Sequence, residues 1–293
     1  MTHPQKSLDQ LVSQTSDLPS MPAAVLAVMR ETASATSNAR TVAMHLSQDQ
    51  ALAARVLRLA NSAYYGLSRQ VSDVNEAVVL LGMRAVRNLA LVASSYPWMS
   101  KPIPGYGLGP REMWKHSFAV AVCGKIVANR TRAGDPETAF TAGLLHNLGK
   151  CVLGVWLEGH EEAIGNVALP GVPFFEVERI VTGFDHSQVG AHLADRWNLP
   201  ESLVAAIQYH HEPDSAAVSQ SIVDCVHLAD SIVLSMGIGL GHDGLSYPLS
   251  SNALQRLGVG HEEFEGLIEA CSEERIHFDD PFGESDEGAS RAA

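Results

Sequence analysis

The sequence contains few cysteines, and none of them pair at a spacing that suggests a metal or disulfide motif. Cys123, Cys151, Cys225 and Cys271 are far apart and form no CxxC pair. A disulfide framework or a sulfur-ligated zinc site depends on closely spaced or numerous cysteines. The four thiols therefore favour a reducing compartment, and we expect the protein in the cytoplasm.

Positive charge is also scarce. The chain has 20 Lys and Arg against 33 Asp and Glu, which gives a formal net charge of −13 and a pI near 5.4. Affinity for a phosphate backbone comes from clustered Lys and Arg that release counterions. General nucleic-acid binding is therefore disfavoured, although a local basic patch is still compatible with these numbers.

Long apolar runs are missing as well. The most apolar stretch, residues 77–93, is interrupted by Arg84 and Arg87, whereas a membrane-spanning helix needs about 20 consecutive apolar residues. The first 20 residues are polar and lack the apolar centre of a signal peptide. We expect no membrane segment and no leader. The hydrophobic content of 46% is nevertheless enough to bury a core.

The periodicity that is present is helical. Val74, Ala77, Val78 and Leu81 follow the i, i+3, i+4, i+7 pattern of one helix face. Asp135 followed by Pro136 is typical of a helix start, and the pattern predicts a helix that continues to residue 153. Because no alternating strand pattern stands out, the sequence predicts an all-α protein.

A segment rich in proline and glycine, between residues 96 and 110, interrupts the helical pattern. Such clusters mark loops and domain junctions. We predict a helical subdomain over residues 1–105 and a second one over residues 106–278. Residues 279–293 are acidic and rich in small side chains, which predicts a disordered tail.

Histidine is the most informative residue type, with 13 copies. Glu112 and His116 are four residues apart on one predicted helix, and His146 and Lys150 are four apart on another, so each pair is expected to share a face. Other candidates follow at predicted helix ends or on a late helix: His186, His210, His211 and Asp230. Imidazoles and carboxylates that converge from several helices are typical of hydrolytic metal sites. The pattern indicates phosphoester hydrolysis, with Lys150 pairing with phosphate charge.

Six short motifs follow one another along the chain: LPxxP at 18–22, NSAYYG at 61–66, AVVLLG at 77–82, WKHS at 114–117, GLLHNLGK at 143–150 and HH at 210–211. Together they resemble the HDOD domain, a relative of the HD superfamily of metal-dependent phosphohydrolases, which includes the HD-GYP cyclic-di-GMP phosphodiesterases. The resemblance extends in order over roughly residues 8–237. It implies a helical N-terminal bundle packed against a C-terminal HD-type bundle.

The resemblance also implies a set of metal ligands, with Glu112 and Lys150 in supporting places. The defining His-Asp dyad reads His146-Asn147 here, so an amide stands where the family has a carboxylate. A neutral amide is poorly suited to bridging two cations. A two-metal hydrolase is therefore not expected, and any cofactor is predicted to be one divalent ion: Zn, Fe, Ni or Mn. The candidate ligands are His116, His146, Asn147, His186, His210, His211 and Asp230.

Two functions remain open at this stage. The resemblance implies a non-catalytic regulatory module of a bacterial cytoplasm that relays signals, commonly in cyclic-di-GMP networks, by contacting signalling proteins or by sensing a ligand such as a nucleotide. The alternative is a metal-dependent phosphohydrolase with a mononuclear site, in which Lys150 is catalytic. The asparagine in place of the dyad carboxylate favours the regulatory module. The complete set of histidines, together with Lys150 and Glu112, favours the phosphohydrolase, because polar groups that are costly to bury need not be kept together in a mere scaffold. His227 lies on the same predicted helix face as Asp230. We predict a packing role for it, and the alternative is that it supports a ligand through a hydrogen bond.

Overall fold

The computed structural model describes residues 7–13, 21–34, 36–61, 67, 69–168, 171–242 and 247–274. Within these residues the regular structure is α-helix with short 3-10 turns, and it includes no β-strand. The all-α prediction is confirmed. The predicted tail, 279–293, lies outside the described residues, and so does most of the NSAYYG motif. No helix in the described part of the chain is long and apolar enough to cross a bilayer.

The chain forms two compact units. Among the described residues, the small unit comprises 21–94 with residue 274, and the large unit comprises 7–13 and 95–273. The predicted subdomain ranges, 1–105 and 106–278, do not place residues 7–13 with the large unit. There, helix α1 (Leu8–Ser13) packs against α12 (His186–Arg196).

Three helices of the small unit begin at side-chain caps. Asn38, Asp49 and Asp73 each accept a hydrogen bond from a backbone N–H three residues later, which satisfies one of the free donors at a helix start. Val74, Ala77 and Val78 are buried, as their period predicts. The helices are α2 (Ala23–Ala33), α3 (Ala39–Ser47), α4 (Gln50–Ala60), α5 (Val74–Leu81) and the first part of α6 (Met83–Met99).

The large unit is built around α7 (Glu112–Thr131), which packs against α8 (Pro136–Leu145) and α14 (Gln220–Ser235). Helix α13 (Glu201–Tyr209) packs against α8, α12 and α14. These five contacts bring together helices that carry histidines or are directly followed by them. The remaining helices are α9 (Lys150–Leu157), α10 (Glu161–Val167), α11 (Phe174–Thr182), α15 (Ser251–Leu257) and α16 (His261–Glu273).

Two details of the predicted helices are wrong. Pro97 lies inside α6, whose last turn continues to Met99, because a proline near a helix end removes only one backbone hydrogen bond.

The helix predicted to run to residue 153 is broken into α8 and α9 by a turn at residues 146–149. The turn carries Gly149 directly onto α12, where an added Cβ would lie 1.9 Å from the backbone oxygen of His186. His146 and Lys150 therefore do not share a helix face.

An ion-pair network joins α14 to α15. Arg256 donates to both oxygens of Asp224, with Nε 2.8 Å from Oδ2 and Nη2 2.7 Å from Oδ1, and its Nη1 lies 2.7 Å from Asp214 Oδ1. Asp224 is 1% exposed. Because a buried carboxylate that loses its partner is costly, this bidentate pair stabilises the packing of the two helices.

We expect Arg256→Met to lower the free energy of unfolding by about 2 kcal/mol, less than for a fully buried pair because the Arg256 side chain is 34% exposed. Urea denaturation monitored by circular dichroism measures the change. The matched control is Arg130→Met, which removes a hydrogen bond to the Gly266 carbonyl at the exposed surface and should cost less than about 1 kcal/mol. Equal losses in the two variants would show that Asp224 does not depend on its arginine.

Candidate metal centre

The large unit brings six of the predicted ligands into two neighbouring groups of three. The first group, triad A, consists of His116 on α7, His146 at the end of α8 and Asp230 on α14. The second, triad B, consists of His186 at the start of α12 with His210 and His211, which follow α13. Within each triad one donor atom from every residue lies within 4.8 Å of the others.

The donor atoms of triad A have the spacing of ligands to one ion. His116 Nε2 lies 3.4 Å from His146 Nε2 and 3.0 Å from Asp230 Oδ1, and His146 Nε2 lies 3.6 Å from the same oxygen. Ligands of one tetrahedral ion with bonds of about 2.0–2.1 Å are about 3.3 Å apart. In triad B, His186 Nε2 lies 3.0 Å from His211 Nε2.

The ring orientations follow from hydrogen bonds on the outer side of the rings. The Nδ1 atoms of His116, His146 and His210 lie 2.7–3.0 Å from backbone carbonyl oxygens, those of Ile238, Gly143 and Ile207 respectively. A carbonyl oxygen can only accept, so each Nδ1 carries a proton and donates it. In a neutral ring the lone pair is then on Nε2, and these lone pairs face the inside of the two triads.

In the two triads, lone pairs of acceptor atoms face one another, and the described residues place no hydrogen-bond donor between them. His210 Nε2, Asp230 Oδ1 and Asn147 Oδ1 are buried and have no hydrogen-bond partner among the described residues. His116 Nε2 and Asp230 Oδ1, both acceptors in this arrangement, lie 3.0 Å apart. Since unpaired buried acceptors are costly, a cation satisfies them best. The donor set of imidazoles with one carboxylate thus fits a divalent metal ion such as Zn, Fe or Ni.

Burial keeps three of the imidazoles in the neutral form that a metal requires. Desolvation lowers the pKa of His146 and lowers the pKa of His210 and His211 well below the ordinary value, and neighbouring histidines add to the effect at all three. His146, His210 and His211 are therefore free-base ligands.

Aromatic side chains lie against triad B. Tyr247 stacks on His211 with ring centroids 4.0 Å apart, and Phe175 lies parallel to His211 at 5.6 Å. Lys150 is 5% exposed, and its Nζ lies 5.3 Å from the centre of the Tyr106 ring and 5.9 Å from that of Tyr247. The predicted catalytic lysine therefore lies near the Tyr247 ring that stacks on His211 rather than on a helix face with His146.

Two further sequence-based interpretations change. Glu112, predicted to support the site, is exposed and its carboxylate accepts the N–H of Gly109 instead. His227, for which packing was the favoured prediction and support of a ligand the alternative, contacts the site: its Nδ1 lies 2.7 Å from the His210 carbonyl oxygen, and its Nε2 accepts the N–H of Ser250 at 2.9 Å. His227 therefore holds the backbone of a candidate ligand in place. Asn147 is 1% exposed, next to His146.

The sequence reasoning missed Glu178, Tyr106 and Tyr247. Glu178 is fully buried and accepts hydrogen bonds from His186. A signal for it was present, because Glu178 lies four residues after Phe174 and three after Phe175, on the apolar face of α11. A carboxylate at such a position has to have a buried partner.

Fold and site together define an all-helical protein with a buried, histidine-rich centre that is suited to metal. The family model for the HDOD domain matches residues 18–213, which is more than half of the chain, so the chain belongs to the HDOD family. The resemblance noted in the motifs is confirmed.

Solved structures of similar chains cover nearly the whole protein. An HDOD domain protein from Geobacter sulfurreducens is 27% identical, with a TM-score of 0.75 over 94% of this chain and 97% of that one. A protein from Shewanella amazonensis SB2B, described as a candidate phosphohydrolase, is 26% identical, with a TM-score of 0.69 over 90% of this chain and 93% of its own.

The curated relatives are longer than this chain. An uncharacterized protein of Treponema pallidum is 25% identical over 240 residues, which are 79% of this chain and 45% of that protein. Ribonuclease Y of Thermus thermophilus is 31% identical over 118 residues, 40% of this chain and 16% of the enzyme. The chain thus spans less than half the length of either relative.

Proposed function

We propose that this protein is a regulatory module that holds one divalent metal ion in its histidine centre and relays a signal through protein contacts, without hydrolysing a substrate. The observation that carries the proposal is the burial of the donors. The most exposed of the six is His211 at 7%, and His146, His186 and His210 are 0% exposed. Burial of this degree restricts access to an ion held by these donors, whereas catalytic metal sites keep a position open to water or substrate.

Charge supports a single ion. Asp230 is the one carboxylate among the six donor residues, and Asn147 adds no charge. Two divalent ions would bring four positive charges against two buried carboxylates, that of Asp230 among the donors and that of Glu178 behind His186. Uncompensated buried charge is strongly unfavourable. One ion leaves a much smaller imbalance. When bound, such an ion would supply Lewis acidity. The burial of the donor residues nevertheless favours an ion that stabilises the fold or takes part in sensing a signal.

The proposal is tested by metal content and turnover together. Protein purified without chelators is expected to contain about one divalent ion per chain by elemental analysis. It should release no nitrophenolate from bis(p-nitrophenyl) phosphate and should leave cyclic-di-GMP intact. His146→Ala is expected to lower the metal content. Turnover by the wild type that His146→Ala abolishes would overturn the regulatory assignment.

A second candidate function, a metal-dependent phosphodiesterase, is favoured by Lys150. Its buried ammonium beside His211 could pair with a phosphate oxygen, and two relatives carry names that denote phosphohydrolase or ribonuclease activity. Single-stranded RNA therefore belongs in the substrate panel, although the acidic chain disfavours it. If the protein is an enzyme, Lys150→Met should abolish turnover and leave the metal content unchanged.

A further inference from the structure

Glu178 is a carboxylate that the large unit buries completely. Its exposed fraction is 0%, and Phe174, Phe175 and Val177 are buried on the same helix. A buried carboxylate without partners would be strongly unfavourable, so its contacts indicate why the fold retains it.

Three donors converge on this carboxylate, and two of them belong to His186. The Tyr106 hydroxyl donates to Oε1 at 2.7 Å, and the backbone N–H of His186 donates to Oε2 at 2.7 Å. The ring Nδ1 of His186 lies 2.8 Å from each oxygen. Glu178 thus fixes both the backbone and the ring of His186, with the Nδ1 proton facing the carboxylate and Nε2 facing His211.

This arrangement distinguishes His186 from the other site histidines. Among the described site histidines with a defined Nδ1 hydrogen bond, His116, His146 and His210 donate to neutral backbone carbonyls, whereas His186 donates to a carboxylate. A carboxylate on the outer nitrogen makes the inner nitrogen a stronger metal ligand and fixes the ring in the ligating tautomer.

The two triads differ in charge in a way that Glu178 offsets. Triad A has the carboxylate of Asp230 among its donors, while triad B consists of three imidazoles. An ion in triad B would have no anionic ligand of its own. Glu178 lies one hydrogen bond away from that triad, buried, and is placed to supply the missing negative charge.

We propose that Glu178 is the positioning residue of triad B: it sets the tautomer of His186 and provides the counter-charge for a divalent ion held by His186, His210 and His211. This inference rests on the proposed function, which assigns a metal to the centre. Tyr106 has the supporting role of orienting the carboxylate through its hydroxyl.

Competition titration of the full-length, metal-free chain with Zn²⁺ and a chromophoric chelator tests the inference. Glu178→Gln, which keeps the shape and removes the charge, is expected to weaken zinc binding 10- to 100-fold. Tyr106→Phe should weaken it less. The matched control, Glu176→Gln, changes an exposed carboxylate on the same helix and should leave the affinity unchanged.

Glu178→Asp separates a charge effect from a packing effect. Asp keeps the charge but leaves a small cavity, whereas Gln fills the space without the charge. If Glu178 acts through its charge, the Asp variant binds zinc more tightly than the Gln variant. The reverse order, or a Gln variant equal to the wild type, would overturn the inference. Circular dichroism on each variant verifies that folded protein is compared.

Failure of this inference and failure of the proposed function give different results. If the wild type binds zinc and the Gln variant binds it equally well, Glu178 is not a positioning residue, while the metal assignment stands. If the wild type hydrolyses phosphodiesters, the regulatory proposal fails, while a weakened Gln variant still supports Glu178. A wild type that binds no zinc overturns both.

Discussion

Asn147→Asp is expected to lower the free energy of unfolding of the metal-free protein by about 3 kcal/mol or more, and divalent metal should restore much of the loss. The Asn147 side chain is 1% exposed, and its Oδ1 accepts no hydrogen bond from the described residues. A carboxylate in this place is buried without a partner, which costs about 3–5 kcal/mol for comparable broken ion pairs. Bound metal provides the missing positive charge.

Urea denaturation with and without Zn²⁺ or Mn²⁺, each in parallel with a chelator, measures both effects. Asn147→Leu is the matched control, because it removes the unpaired oxygen at similar volume and adds no charge. Its stability should differ little from that of the wild type and should not gain from metal beyond the wild-type gain. An Asn147→Asp variant that metal fails to stabilise would show that residue 147 lies outside the centre. New phosphodiesterase activity in the same variant would identify the amide as the cause of a silent site.

The stability of the metal-free protein is expected to fall steeply as the pH drops below about 6.5. Burial lowers the pKa of His146, His210, His211 and His227 in the folded state. The unfolded chain therefore takes up protons first, at the ordinary histidine pKa near 6.5. The stability that these histidines contribute is fully present above that pH and is lost below it, by on the order of 1.4 kcal/mol per pH unit for each ring that stays neutral.

Urea midpoints measured in chelator from pH 7.5 to pH 5 test this pH dependence. His210→Gln should reduce the slope, because it removes one of the buried rings. His261→Gln is the control, since the His261 side chain is 86% exposed on α16. A stability that stays constant between pH 7.5 and 5.5 would mean that the buried rings bind protons in the folded protein as readily as in the unfolded one.

Local sequence signals were sufficient for most of the fold. Asp135 caps α8 with Pro136 in its first turn, and Asp185 forms a capping box with Gln188 at the start of α12, as short motifs predict. The helical period also identified the buried face of α5. These features depend on residues within one or two turns of each other, which is why a single sequence reveals them.

Features that depend on distant residues were not accessible in this way. The break between α8 and α9 follows from the close approach of Gly149 to α12. No sequence signal near Gly149 predicts this approach. Six ligand candidates, indicated by the histidine pattern and by the family resemblance, lie together. Glu112 lies outside the group because its carboxylate accepts the N–H of Gly109. The imidazole rings are oriented by hydrogen bonds to backbone carbonyls, one of them as distant in the chain as residue 238. Because every residue has a backbone carbonyl, the residue types in the sequence do not reveal these contacts.

The contact of Gly149 with α12 has a mechanical consequence. The turn at residues 146–149 lies so close to the backbone of His186 that no side chain at position 149 fits between them. A displacement of the start of α12 must therefore carry that turn with it. We therefore expect triad A and triad B to move together as one rigid body, so that loss of an ion from one triad also displaces the residues of the other.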